Sequence, residues 1–174
     1  MAEKQTGVAS VVIVGIGNLL LRDEGVGIHV ANELLKLSLP DNIEVVDGGT
    51  SGADLIDTIA DRDKVIVVDA MKADDEPGAV FRLTGEDLAR NPNRLISMHE
   101  FGLTETLAMA RQLNCSPKEV IVYGVQPETL RPPGMELSDT IAKLLPRLVK
   151  AVLKEAGVEA KDEERNDKDN NKTN

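Results

Sequence analysis

Three carboxylates and an imidazole are spaced along this chain as though to meet: Glu24, Asp47, Asp69 and His99. Glu24 follows the apolar run Val11-Val12-Ile13-Val14 and a glycine-rich loop. Asp47 follows Ile43-Glu44-Val45-Val46, and Asp69 ends Val65-Ile66-Val67-Val68. His99 stands in Ser97-Met98-His99-Glu100, ahead of a helical pattern. In open α/β sheets, sites form outside the carboxyl ends of strands, so this spacing gathers all four on one edge. Glutamate, aspartate and histidine make a hard-to-borderline ligand set that suits Ni, Zn, Fe or Mn better than a thiolate-seeking metal. Plainer roles fit each residue too. Asp69 could cap the following turn and Asp47 could belong to the turn at Gly48-Gly49. Glu24 could answer a helix dipole, and His99 could be a packed loop residue.

The loop that carries Glu24 resembles a nucleotide loop and fails as one. Gly15-Ile16-Gly17-Asn18-Leu19-Leu20-Leu21-Arg22-Asp23-Glu24-Gly25-Val26-Gly27 supplies the first two glycines of the dinucleotide fingerprint, but position 20 is Leu. No Gly-Lys-Ser/Thr follows. Asp23 and Glu24 stand where a phosphate would meet a helix N-terminus. Carboxylates there repel pyrophosphate and welcome a metal ion, so a nucleotide cofactor is not expected.

The elements that must position these groups alternate along the chain. Ser10–Val14, Ile43–Val46 and Lys64–Asp69 read as strands, and their continuous apolar runs suit a parallel sheet covered on both faces. Val26–Leu37 reads as a helix with Val26, Val30, Leu34 and Leu37 on one face, and a short helix runs from about Ala53 to Ala60. Met71–Gly78 is only eight residues long and ends in Pro-Gly, whereas a parallel crossover needs about a dozen. The strand at Ala79–Leu83 is therefore expected to be an antiparallel neighbour, making the sheet mixed. A helix over Gly102–Leu113, a fifth strand over Glu119–Tyr123 and a final amphipathic helix over Ser138–Glu155 follow. Pro146 is expected to kink or break that helix. Residues 1–156 read as one domain, and residues 157–174, almost all charged or amide-bearing, as a disordered acidic tail.

Composition narrows the function. Across 174 residues the net charge is −10 and aromatic residues make up 2%, with no Trp. That disfavours nucleic acid, which wants basic patches and stacking platforms, and anionic membranes. One cysteine excludes an internal disulfide and a multi-cysteine zinc site. No apolar run reaches the roughly 18 residues of a membrane span, and the first residues lack the apolar core of a signal peptide. A cytoplasmic monomer is expected. Cys115 has nothing nearby in sequence to lower its thiol pKa, and His29, inside the first helix, reads as structural or exposed. There is no Gly-x-Ser-x-Gly elbow.

Five ordered motifs resemble one family. They are the Gly15–Gly27 loop, Asp47-Gly48-Gly49-Thr50-Ser51-Gly52, Val67-Val68-Asp69-Ala70, Ser97-Met98-His99-Glu100 and Gly124-Val125-Gln126-Pro127-Glu128. Together they look like the hydrogenase maturation endopeptidases, nickel-dependent proteases that process the large subunit of nickel–iron hydrogenases. The likeness runs from about Val11 to Glu155. It implies a three-layer α/β/α sandwich on a mixed five-stranded sheet, mostly parallel with one antiparallel strand and phosphorylase/hydrolase-like. It implies removal of a C-terminal extension from the large-subunit precursor once nickel is inserted, with nickel presented by that substrate. Glu24, Asp69 and His99 carry over as metal-contacting and catalytic residues. Asp47, Gly48, Gly49 and Thr50 carry over as a supporting, substrate-sensing turn. Three other classes stay open: a nickel-checkpoint chaperone that binds the precursor without cutting it, a flavodoxin-like module, and a related protease acting on another precursor such as a spore protein.

Overall fold

Runs of valine and isoleucine, stiff at χ1 and suited to a pleated surface, build the sheet of this computed structural model. The structure describes residues 9–50, 55–90, 96–97 and 103–158. Its strands are β1 (Val11–Ile16), β2 (Ile43–Gly49), β3 (Lys64–Lys72), β4 (Val80–Thr84), β5 (Ile96–Ser97) and β6 (Glu119–Val125). Five of them form the main sheet in the order β2-β1-β3-β6-β4. The β1–β2, β1–β3 and β3–β6 pairs are parallel, and β4 runs antiparallel to β6. The two-residue β5 pairs antiparallel with Met71 and Lys72 at the far end of β3.

The mixed sheet is as expected, with one difference in adjacency. β4 does not lie beside β3, because β6 intervenes. The connection after β3 crosses the end of β6 and is tied to Gln126 there. The Gly78 N–H donates to the Gln126 carbonyl (2.9 Å), the Gln126 N–H to the Ala79 carbonyl (2.9 Å), and the Ala73 N–H to Gln126 Oε1 (2.8 Å). Strands also run two to three residues past the expected ends of β1, β2, β3 and β6, through glycines and Asp47 whose backbones still pair with their neighbours.

Helices α1 (Val26–Leu34), α2 (Ile56–Ile59), α3 (Gly85–Arg90), α4 (Leu103–Gln112) and α5 (Asp139–Glu155) complete the layers. One face of the sheet, with Ile13, Ile66, Val68 and Ile121, is covered by Val26, Val30 and Leu34 of α1 and Ile141, Leu148 and Val152 of α5. The other, with Val12, Val14, Val65 and Val67, is covered by Ile59 of α2 and by Leu103, Leu107 and Ala110 of α4. Each such side chain contributes about 1.5–3 kcal/mol by leaving water. Two sheet faces covered by helices make the expected three layers.

Local differences have local causes. α1 ends at Leu34, and the chain leaves it through a tighter turn in which the Leu37 N–H donates to the Leu34 carbonyl (3.0 Å). Leu37 is therefore exposed instead of extending the buried face. α5 runs unbroken through Pro146, which sits on its exposed face, while Ile141, Leu148 and Val152 anchor both halves. α3 is absent from the sequence expectations. Its signal is Thr84-Gly85-Glu86-Asp87, a reciprocal cap: the Asp87 N–H donates to Thr84 Oγ1 (3.2 Å) and the Thr84 N–H to Asp87 Oδ2 (2.9 Å). The Thr84 backbone and hydroxyl hold the Asp87 carboxyl below its ordinary range.

Candidate active site

The strand order reverses direction around β1 and β3. From β1 the chain passes through α1 to β2 on one side; from β3 it proceeds to β6 on the other. The crevice at the carboxyl ends of β1 and β3 is thus the topological switch point, the preferred site location in such sheets.

Glu24 reaches that crevice by a tight return after β1. Residues 17–21 lead into a 3-10 turn, Arg22–Gly25, which continues directly as α1. Two glycines make the return possible. A Cβ on Gly17 would lie 2.3 Å from the Glu24 carbonyl oxygen, and one on Gly27 would lie 2.2 Å from the Val68 carbonyl oxygen. Only a residue without a side chain allows the turn to press onto the sheet so closely. The Glu24 N–H donates to the Leu21 carbonyl (3.2 Å), and the Asn18 N–H to the Glu24 carbonyl (3.3 Å). Glu24 is 7% exposed, on a turn that packs against β3.

Asp69 enters from β3. The period of two along a strand places it on the side of Val65, Val67 and Met71, facing α2 and α4. It is 1% exposed and pairs in register with Gly124 of β6. The structure thus buries Glu24 and Asp69 on adjoining elements at the switch point.

Asp47 ends β2 on the same sheet edge but is exposed. Its Oδ1 accepts the Gly49 N–H (2.9 Å), and Gly49 takes a positive φ of 54°. This is the turn role weighed from sequence. The turn braces the first loop, because the Gly17 N–H donates to the Gly49 carbonyl (2.9 Å). Gly48 packs beside Val14 and Gly15, and Thr50 is exposed at the turn's end. His99, Ser51 and Gly52 lie outside the described residues. So does the tail from residue 159. His29 is half-buried in α1, its Nε2 3.2 Å from the Met135 carbonyl. Cys115 is a half-buried free thiol beyond the end of α4.

Asp23 has a role the sequence left unresolved. The sequence singles out Glu24 and not Asp23 as the candidate ligand, and the Asp23 carboxylate is fully buried and engaged by backbone. Oδ2 accepts the N–H groups of Glu128 (3.0 Å) and Thr129 (2.8 Å), and Oδ1 accepts that of Ser138 (2.7 Å). Ser138 caps α5. The strand-like contact continues through the Arg22 N–H to the Gly134 carbonyl (2.8 Å), the Gly134 N–H to the Leu20 carbonyl (2.9 Å), and Arg22 Nε to the Pro132 carbonyl (3.0 Å). Glu128, at the start of this segment, is held below the ordinary carboxylate range by the hydroxyls of Thr140 and Ser138.

Glu24 and Asp69 supply oxygen donors from a water-poor site, and buried carboxylates are stabilised by a nearby cation. Carboxylates are hard oxygen donors, and an imidazole added to them makes a set that suits a borderline divalent ion. Among the described residues no three histidine, cysteine or acidic side chains gather as a metal cage. A metal held by these two carboxylates would need a further donor from outside the pair. A groove of about 560 Å³ elsewhere on the surface is lined by Thr84, Gly85, Arg111 and Lys118 near the start of β6.

The fold is a three-layer α/β/α sandwich with buried carboxylates at the switch point of its sheet. Its relatives are specific. Residues 28–155 match the hydrogenase maturation protease family model. The chain is 36% identical over 155 residues to the hydrogenase 2 maturation protease of Escherichia coli, covering 86% of this chain and 94% of that one. It is likewise 36% identical over 149 residues to a putative hydrogenase maturation protease of Methanocaldococcus jannaschii, covering 83% and 95%. The solved structure of the hydrogenase maturating endopeptidase HybD from E. coli superposes with a TM-score of 0.75 at 34% identity, covering 86% and 94%. The chain belongs to the hydrogenase maturation protease family.

Proposed function

We propose that this protein is a cytoplasmic endopeptidase that removes the C-terminal extension of a nickel–iron hydrogenase large-subunit precursor after nickel insertion. The observation that carries the proposal is the burial of Glu24 and Asp69 on adjoining elements at the switch point of the sheet, in a chain whose relatives are named hydrogenase maturation proteases. His99 is assigned as the third contacting residue. The β3–β5 register supports this, because Met71 pairs with Ser97. Met71 stands two residues after Asp69, and Ser97 stands two residues before His99 in the sequence, so the strand of this motif is tied to the Asp69 end of β3.

Glu24, Asp69 and His99 would hold the nickel that the precursor presents, and too few donors for tight independent binding would make processing wait for a loaded substrate. The bound ion supplies Lewis acidity toward the scissile carbonyl and a lowered pKa for attacking water. The protein's own part is to orient the peptide against the buried carboxylates. One of Glu24 or Asp69 takes the proton of the attacking water on a carboxylate oxygen and returns it to the leaving amine. The Asp47–Thr50 turn forms one wall of the approach.

The test is the intact mass of a cognate precursor, nickel-loaded and nickel-free, after incubation with this protein. Loss of a C-terminal peptide from the nickel-loaded form alone, abolished in Glu24→Gln and His99→Ala, is expected. A stable complex with no mass change would replace the protease with a nickel-checkpoint chaperone. Wild-type cleavage by both variants would overturn the site.

A further inference from the structure

We infer that Asp23 is the positioning residue of the site: its carboxylate locks the Glu24 turn to the 128–138 segment and so sets the aim of the neighbouring Glu24 carboxylate. The inference rests on the proposed protease reading and adds a residue to it.

Asp23 and Glu24 share the short 3-10 turn Arg22–Gly25. In that turn the backbone torsions linking the two residues are few, so a rotation at Asp23 moves Glu24. Asp23 is held against rotation by three N–H groups from chain segments 105 to 115 residues away. The three donors arrive from two directions. Glu128 and Thr129 come off the end of β6, whereas Ser138 opens α5. Both oxygens are engaged, so the carboxylate plane is fixed as well as its position. Hydrogen bonds to an ionised acceptor are about twice as strong as neutral ones. The backbone of Asp23 joins in, its N–H donating to the Thr129 carbonyl (3.3 Å). Arg22 is fastened to the same segment, as described above.

On the other side of the turn, the Glu24 main chain is pressed over Gly17 and bonded to Asn18 and Leu21. The turn is thus clamped between the glycine loop and the 128–138 segment, and the position of Glu24 is set from both sides. A catalytic group displaced by about 1 Å costs on the order of a hundredfold in rate, so such a clamp has a kinetic consequence distinct from stability.

The Ser138 donor gives a test that leaves every charge in place. Ser138 has φ −60°, which a proline ring accepts. Ser138→Pro therefore removes the N–H that binds Asp23 Oδ1 together with the hydroxyl that caps Ile141 and bonds Glu128, whereas Ser138→Ala removes that hydroxyl and keeps the N–H. Asp23→Asn disrupts the clamp from the other side. All three, with Glu24→Gln, are compared by single-turnover cleavage of nickel-loaded precursor and by precursor Kd, at a temperature where circular dichroism shows each folded.

Ser138→Pro and Asp23→Asn are expected to cleave about 10- to 100-fold more slowly with Kd within about twofold of wild type. Ser138→Ala should cleave at the wild-type rate. Equal rates for Ser138→Pro and Ser138→Ala, or Asp23→Asn folded and cleaving like wild type, would reduce Asp23 to a purely structural residue. The parent reading fails differently: wild type leaves the loaded precursor at full mass, or Glu24→Gln cleaves normally. In that case there is no catalytic carboxylate to aim and the inference falls with it.

Discussion

Acid should unfasten the far end of α5 through one residue, Glu155. It closes the helix onto the start of the sheet, accepting from Lys64 Nζ (2.7 Å), Arg82 Nε (2.7 Å) and Tyr123 Oη (3.1 Å). The bond from Arg82, then those from Lys64 and Tyr123, outweigh burial and lower its pKa from 4.5 to about 2. Burial pulls Lys64 down, but its bonds to Glu155 and Glu119 outweigh that and raise it. The two shifts describe one cluster and are counted once. Glu155 gains its stability as the anion, so the contribution is complete above the unfolded value of 4.5 and is lost as pH falls through about 2. The full shift corresponds to roughly 3 kcal/mol. Arg82 is 46% exposed, and screening of that arm reduces the expectation to about 2 kcal/mol. Glu155→Gln should therefore lose about 2 kcal/mol at pH 7, or about 4–8 °C in melting midpoint for a chain of this size. The gap between wild type and variant should narrow below pH 4.5 and be about half gone near pH 3. Urea unfolding of both proteins at pH steps from 7 to 3 measures it. A gap that stays constant across that range, or is missing at pH 7, would refute the electrostatic account.

Other perturbations separate the glycine loop from the scaffold. Gly27→Ala forces a Cβ to 2.2 Å from Val68 O and 2.3 Å from Ile16 O, both main chain, and should cost about 3 kcal/mol or more. Gly85→Ala meets nothing nearer than 3.5 Å and should be neutral or stabilising by up to about 1 kcal/mol; thermal melts of the two variants distinguish them. Arg62, 5% exposed, donates to the carbonyls of Thr58 (2.8 Å) and Ala9 (2.6 Å) and to Glu44 (2.6 Å). Arg62→Lys cannot span three directions and should lose about 2–3 kcal/mol in urea unfolding. Pro146→Ala restores an N–H inside α5 and should raise the melting midpoint, by about 1 kcal/mol or more in stability.

What was legible in the sequence was periodic or chemically loud. The valine-rich runs announced the strands, and the short Met71–Gly78 connection announced the antiparallel direction of β4. Adjacency was not legible, because it depends on Gln126 holding the connection across the end of β6, a contact between residues far apart in sequence. Strand ends were misplaced because glycines and Asp47 read as turn residues while their backbones still had partners to bond. Pro146 read as a break because propensity is local, whereas the buried contacts of Ile141, Leu148 and Val152 act on the whole helix. Thr84 and Asp87 did carry a visible capping signal for α3. Of the candidate site, the edge of the sheet and the acids were legible from spacing. Their differing burial was not: Asp47 and Asp69 both end apolar runs, yet β2 is an edge strand and β3 a central one.

Asp23 and Glu24 show most sharply why local chemistry underdetermines a site. They are adjacent, both acidic and both buried, and either could have been the one that meets a metal. The difference comes from what reaches them. Ser138 must be at the N-cap of α5, and Glu128 and Thr129 must come off β6, for Asp23 to find three donors. Those positions follow from the sheet order and from α5 packing across α1. Once they are met, both Asp23 oxygens are engaged by backbone, and the cost of burying the group is offset by hydrogen bonds. Glu24 is one residue further along the same turn, which packs against β3. The three long-range backbone donors on Asp23 mark it as the anchor. The division of labour between anchor and reactive group is thus set by contacts more than a hundred residues away in sequence.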